Sequence, residues 1–138
     1  MQDKYNFRIA QKAEIKDGEK FLIFKRSPDA YTYQNCWEFT GGRLEQGESP
    51  KEGLKREVKE ETNLDIEVLN PKFLFAEKLK DHYVVFVVYQ CNLIKGELKL
   101  SEEHVDSKWA TREEILKLQT ERFLTEYLTK YTVKKPTN

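Results

Sequence analysis

The stretch Gly42-Arg-Leu-Glu-Gln-Gly-Glu-Ser-Pro-Lys-Glu-Gly-Leu-Lys-Arg-Glu-Val-Lys-Glu-Glu-Thr-Asn-Leu64 decides the fold and carries the chemistry. Ser49 is placed to cap a helix, Pro50 suits the first helical position, and Glu52, three residues after the cap, can close a capping box. The spacing predicts a helix from about Pro50 to Thr62. Leu54 and Val58, four apart, give it an apolar stripe towards a core. Glu57, Glu60 and Glu61 fall in a sector beside that stripe. Gly53 lies in the same sector, where a missing side chain leaves room next to the carboxylates.

Glu57 with Glu60 and Glu57 with Glu61 are like-charge pairs at i,i+3 and i,i+4, each costing about 0.2–0.5 kcal/mol on an isolated helix. A divalent cation reverses that penalty. Oxygen ligands of this kind suit Mg²⁺ or Mn²⁺, which take carboxylates, carbonyls and waters and hold phosphate oxygens at the remaining positions. A solvated acidic face balanced by Lys51, Lys55 and Lys59 is the alternative for a generic Glu-rich helix. The glycine pair Gly41-Gly42, the dipeptide Arg56-Glu57 and the pair Glu60-Glu61, together at fixed spacing, favour the metal.

At 138 residues, 38% hydrophobic and 12% aromatic, the chain is expected to form a single domain over 1–138, with 132–138 a flexible basic tail. Lys+Arg and Asp+Glu both total 24, so no global field attracts a long nucleic acid or an anionic membrane, and a polyanionic substrate has to be held locally. The longest apolar run, Tyr83 to Val88, is too short to span a bilayer, and a cytoplasmic location is expected. Cys36 and Cys91 lack zinc-type spacing and are expected to be reduced and packed. No G-x-S-x-G nucleophile motif occurs, so covalent catalysis has no candidate.

Outward from the helix, strands are expected at Asn6–Ile15 and Lys20–Lys25, joined at Asp17-Gly18 by a type I′ turn. A polar loop follows at Ser27–Asn35, then a short strand at Cys36–Phe39. Downstream, Ile66–Leu69, Lys72–Leu79, Tyr83–Leu93 and Leu98–Leu100 read as strands, with the Tyr83 run central because it is apolar on both faces, and Asp106–Ala110 can add another. Thr111 with Glu114 starts a helical end, where Ile115 and Leu118 share one face and Phe123, Leu124, Tyr127, Leu128 and Tyr131 form a second stripe. This order predicts an α/β fold, a mixed sheet between helices.

The segment resembles the signature of the Nudix hydrolases (MutT-like), G-x5-E-x7-R-E-U-x-E-E-x-G-U with U a bulky aliphatic. Gly42, Glu48, Arg56, Glu57, Val58, Glu60, Glu61 and Leu64 stand on its fixed positions. Asn63 replaces the family's glycine; Asn tolerates the left-handed conformation that ends a helix, so the turn is kept. Thr40 replaces the proline that commonly precedes the glycine pair. The resemblance implies an α/β/α sandwich and a metal-dependent pyrophosphohydrolase, in which water attacks phosphorus of a nucleoside triphosphate or another nucleoside diphosphate derivative.

It further implies Mg²⁺, with Mn²⁺ an alternative, held by Glu57, Glu60, Glu61, the carbonyl of Gly41 and a downstream acid. For that acid Glu103 is preferred to Glu102, because Glu103-His104 ahead of Trp109 is similar to a recurrent family segment. One carboxylate of the set accepts the proton of the attacking water, and Arg56 orients Glu57 by a salt bridge. Glu48 is open between an outer role and a cap. Arg26, at the end of the second strand, stands where relatives carry a cation for a phosphate, and Tyr83 is the aromatic assigned to substrate among Tyr31, Tyr33 and Phe75. The expected partner is a small nucleotide, with a homodimer as an alternative to the monomer. A non-catalytic nucleotide-binding regulatory module competes with the enzyme reading, and the intact acidic cluster disfavours it.

Overall fold

In a computed structural model, the structure describes residues 7–130; Tyr131 and the tail at 132–138 lie outside the described residues. The hairpin opens the fold, with β1 (Phe7–Asp17) antiparallel to β2 (Lys20–Arg26). Asp17 pairs with Lys20, so Gly18 and Glu19 form the turn, one residue beyond the expected position. Only Gly18 has a positive φ, at 60°, a pattern of type II′ and not type I′. The chain then forms β3 (Trp37–Glu38), β4 (Gly41–Arg43) and α1 (Pro50–Thr62). Two long strands follow, β5 (Asp65–Leu79) and β6 (His82–Lys95), and then β7 (His104–Thr111) and the short helices α2 (Arg112–Ile115) and α3 (Arg122–Lys130).

The sheet runs β3-β2-β1-β6-β5, with β4 also pairing β1 and β7 also pairing β2. The Tyr83 run is central as expected: β6 lies between β1, to which it is parallel, and β5, to which it is antiparallel. Ile66–Leu69 and Lys72–Leu79 are one strand, whose register shifts around Pro71 because proline cannot donate to the ladder. Leu98–Leu100 is not a strand. The N–H groups of Lys99 and Ser101 donate to the carbonyls of Thr62 and Glu61, so this segment is tied to the last turn of α1 and its donors are lost to any sheet.

Alternation along the strands supplies a core on each face of the sheet. Phe21, Ile23, Phe86 and Val88 pack with Phe123, Leu124, Tyr127 and Leu128 of α3. Leu22, Phe24, Tyr89 and Cys91 pack with Leu54 and Val58 of α1. Each such side chain, fully buried, stabilises the fold by roughly 1.5–3 kcal/mol. The result is a mixed sheet between helices, the fold expected from the sequence. Among the described residues no helix is long and apolar enough to cross a membrane.

Helix α1 starts and stops where its sequence dictates. Ser49 Oγ accepts the N–H of Glu52 at 3.4 Å, and Asn63 ends the helix at φ 67°, in the conformation the family's glycine would adopt. At α2 both halves of the capping box between Thr111 and Glu114 are present.

Candidate active site

Strand β4 brings the glycine pair against α1 at the mouth of the sheet. A Cβ on Gly41 would lie 1.9 Å from the carbonyl oxygen of Gln11, so only glycine allows β4 to approach β1 this closely. A Cβ on Gly42 would lie 2.3 Å from Glu57 Oε2, so the bare backbone there is what gives the Glu57 carboxylate its place. Gly42→Ala is therefore expected to displace that carboxylate, lowering kcat about tenfold while the melting temperature stays within a few degrees, because the displaced atoms belong to a flexible side chain. Steady-state kinetics beside a thermal melt test it. Gly53 leaves room for Glu48, whose Oε1 would be 2.8 Å from a Cβ, and not for a group approaching Glu57 or Glu61.

Glu57, Glu61 and Glu103 share a cleft of about 300 Å³ with Gly41 and Gly42. Glu60 faces the adjoining groove, with Glu57, Glu61, Ser101, Glu102 and Glu103. The structure thus brings together residues far apart in sequence, and the reason is local. The Ser101 N–H donates to Glu61 O at 3.1 Å, Glu103 N–H to Ser101 Oγ at 3.3 Å, and the Ser27 N–H to Glu103 O at 3.0 Å, pinning the loop against α1 and the end of β2.

Arg56 is held by a bidentate bond to Glu48, from Nε at 2.6 Å and Nη2 at 3.0 Å, which keeps the Glu48 carboxyl below its usual range. From there its Nη1 lies 3.2 Å from Glu57 and 3.3 Å from Glu60. Glu48 is thus the anchor of Arg56. Glu61 is buried, accepting from Thr40 Oγ1 at 2.9 Å and from the Gly41 N–H at 3.4 Å. Burial pushes its carboxyl up to about 9; Lys12 pulls the other way, and Glu103 and Glu38 add to the rise. Burial also raises Glu57, with Arg56 opposing and Glu60 adding.

Burial is the larger cause of the rise at both Glu57 and Glu61. Among the described residues no group of three or more His, Cys, Asp or Glu is drawn together as a metal-binding cluster.

Lys12, Arg26 and Arg43 line the same cleft, together with Glu45. Beneath them lies Glu38, 2% exposed, which accepts from Lys12 Nζ at 2.6 Å and Arg26 Nη1 at 3.0 Å and has His104 Nε2 at 2.8 Å. Arg26 reaches the cleft as expected from its place at the end of β2. Tyr83 does not. Its neighbours His82 and Val84 line a separate, adjoining cleft on the α3 side of the sheet, so alternation turns Tyr83 to the other face, where it stacks on Phe7 at 5.2 Å. Tyr33 is bonded to Glu77, Phe75 lies under Arg122, and Tyr31 lines a neighbouring groove. Sequence reasoning missed Lys12, Glu38 and Arg43; the available signal was a lone charge inside an apolar strand, as in Trp37-Glu38-Phe39.

The NUDIX domain pattern matches residues 10–131. Nucleoside triphosphatase NudI of Enterobacter sp. strain 638 is 25% identical over 112 residues, covering 73% of this chain and 79% of its own length. The crystal structure of the MutT protein from Methanosarcina mazei Go1 superposes with a TM-score of 0.83 at 28% identity, over 96% of this chain and 100% of that one. The MutT NUDIX hydrolase from Burkholderia pseudomallei shares the fold, with a TM-score of 0.82 at 20% identity, over 91% and 98% of the two chains. The chain belongs to the NUDIX family, hydrolases of diphosphate linkages in nucleoside phosphates.

Proposed function

We propose that this hydrolase acts on nucleoside triphosphates with Mg²⁺, or with Mn²⁺ in its place. The observation that carries the reading is the meeting in one cleft of the carboxylates Glu57, Glu61 and Glu103 with the cations Lys12, Arg26 and Arg43. Carboxylates alone would repel a polyphosphate and cations alone would bind it inertly; the pair suits a metal–polyphosphate complex. The nucleoside triphosphatase NudI supports the same substrate class.

In this reading Glu57, Glu60, Glu61, Glu103 and the carbonyl of Gly41 hold the metal. A divalent ion supplies a water of lowered pKa and neutralises charge on the phosphoryl oxygens. Arg56, fixed by Glu48, keeps the Glu57 carboxylate aimed into the cleft, and Thr40 does the same for Glu61. Lys12, Arg26 and Arg43 hold the phosphates in line, and Glu38 beneath sets the direction of the first two. A carboxylate of the cluster takes the proton of the attacking water. We place the enzyme in the cytoplasm; unpaired, buried Cys36 and Cys91 support a reducing compartment.

Turnover of a panel of nucleoside triphosphates, nucleotide sugars and dinucleoside polyphosphates tests this reading. Activity is expected with Mg²⁺ and lost on EDTA, with recovery when Mg²⁺ is restored in excess. Nucleotide binding without turnover under any divalent ion would replace the enzyme with a regulatory module.

A further inference from the structure

Strand β7 begins at His104, and its ladder with β2 slips there. Asp106 pairs with Lys25 and His104 with Arg26, so Val105 is an extra residue, 53% exposed, and the strand is bulged. A bulge bends its strand and re-aims the side chains beside it. Here it turns the His104 side chain inward, where it is buried with its ring 5.3 Å from that of Phe24. The preceding residue, Glu103, lines the carboxylate cleft.

His104 Nε2 lies 2.8 Å from Glu38 Oε2. Burial opposes the charge of Glu38, but Lys12 and its other partners hold the carboxyl well below its usual range, so this oxygen accepts and the hydrogen belongs to Nε2. Charge-assisted bonds of this kind are the strong ones. Glu38 is itself fixed by Lys12 and Arg26, at 2.6 and 3.0 Å, so the anchor lies outside the loop that carries Glu103. On the other side of the ring, Nδ1 has no hydrogen-bond partner and stands 3.9 Å from Glu61 Oε1. A phenyl ring would pack beside Phe24 without leaving a buried nitrogen open, so packing does not account for an imidazole here. The bond to Glu38 does.

We propose that His104 is a positioning residue for the hydrolysis, tying the end of the 101–104 loop to Glu38 and so holding the Glu103 carboxylate in the cleft with Glu57 and Glu61. The inference rests on the reading above, in which Glu103 is one of the metal's ligands. His104 has no contact with substrate in this role. Its effect passes through Glu103, as groups behind a metal's ligands set the ligands' geometry.

The experiment measures Mn²⁺ binding by isothermal titration calorimetry, with kcat and KM alongside, in wild type, His104→Asn, His104→Gln, Glu103→Gln and the double variant Glu103→Gln with His104→Asn. Glutamine puts a donor where Nε2 stands, whereas the shorter asparagine does not reach Glu38. His104→Asn should weaken Mn²⁺ binding about tenfold or more and lower kcat by a similar factor, with KM for the nucleotide little changed. His104→Gln should stay within about threefold of wild type in all three. In the Glu103→Gln background, His104→Asn should weaken binding no further. His104→Phe, which fills the ring's space without a donor, should behave as His104→Asn does and keeps the test open if the asparagine variant does not fold. Wild-type Mn²⁺ affinity in the donor-less variants, equal losses in the asparagine and glutamine variants, or losses that add in the double variant would each overturn the proposal, since a merely structural histidine acts without regard to Glu103. Wild-type Mn²⁺ affinity in Glu103→Gln would remove Glu103 from the metal's ligands and the inference with it, leaving the hydrolase in place.

Discussion

Glu57→Gln and Glu61→Gln are each expected to lower Mg²⁺-dependent turnover by about 10³-fold, equivalent to ~4 kcal/mol of transition-state stabilisation. The exchange of one oxygen for an amide nitrogen keeps the shape of the side chain. At Glu61 the remaining carbonyl oxygen can still accept from Thr40, whose hydroxyl now lies 2.9 Å away. What disappears is the anionic oxygen that a hard cation prefers. Stability should move the other way. The carboxyl of Glu61 is pushed up to about 9 by burial, so its ionised form is disfavoured in the metal-free fold. Because the folded value lies above the ordinary one, Glu61 weakens the metal-free fold as pH rises through the ordinary carboxylate range, and that penalty grows until pH reaches about 9. The amide carries no such penalty. Glu61→Gln should therefore melt at or above the wild-type temperature in EDTA at neutral pH and gain less from added Mg²⁺. Kinetics and thermal melts with and without the metal separate the two effects; full Mg²⁺-dependent activity in Glu57→Gln would remove that residue from the catalytic set.

The part of the fold legible in the sequence was the part set by local rules. Ser49, Pro50 and Asn63 punctuate α1 through backbone hydrogen bonds and φ preferences that act within one turn, and the observed helix has the expected bounds. The apolar run from Tyr83 marked a central strand because a segment greasy on both faces needs cover on both. Leu98–Leu100 misled for the complementary reason: its alternation is that of a strand, yet its donors are taken by carbonyls at the end of α1, a tertiary contact invisible to periodicity. Tyr83 misled by parity. A shift of one residue along a strand reverses the face, and sequence alone does not say which face meets the cleft. Within the site, the helix carboxylates could be read from spacing and Arg26 from its place at the end of a strand, whereas the meeting of Arg26 with Lys12 could not. Lys12 and Arg26 belong to different strands, and they meet only because both converge on Glu38.

That convergence gives the second large effect. Glu38→Leu is expected to destabilise the protein by about 3–5 kcal/mol, because it strands buried charge instead of merely deleting a contact. Burial by itself would raise the Glu38 carboxyl, but Lys12, Glu121, His104 and Arg26 hold it well below its usual value of 4.5. Lys12 is 6% exposed, and although burial works against its charge, Glu38, Glu121 and Glu61 hold it protonated. Without Glu38 the lysine has to lose its proton or draw water into the core beside Phe123, over whose ring its Nζ sits at 5.8 Å. The sign of the pH dependence follows from the depressed folded value: the contribution of Glu38 is fully present above the unfolded carboxylate's range and is lost as pH falls below it towards the folded value. The deficit of Glu38→Leu relative to wild type should accordingly be large at neutral pH and shrink in acid. The double variant Lys12→Met with Glu38→Leu replaces the pair by apolar groups of similar length and should recover much of the lost stability, as buried ion pairs generally allow. It should not recover activity, since the cation beside the phosphates is gone. Urea unfolding of wild type, both single variants and the double at neutral and acid pH closes the cycle; additive losses, with no recovery in the double variant, would show that Glu38 acts through something other than the charges it gathers.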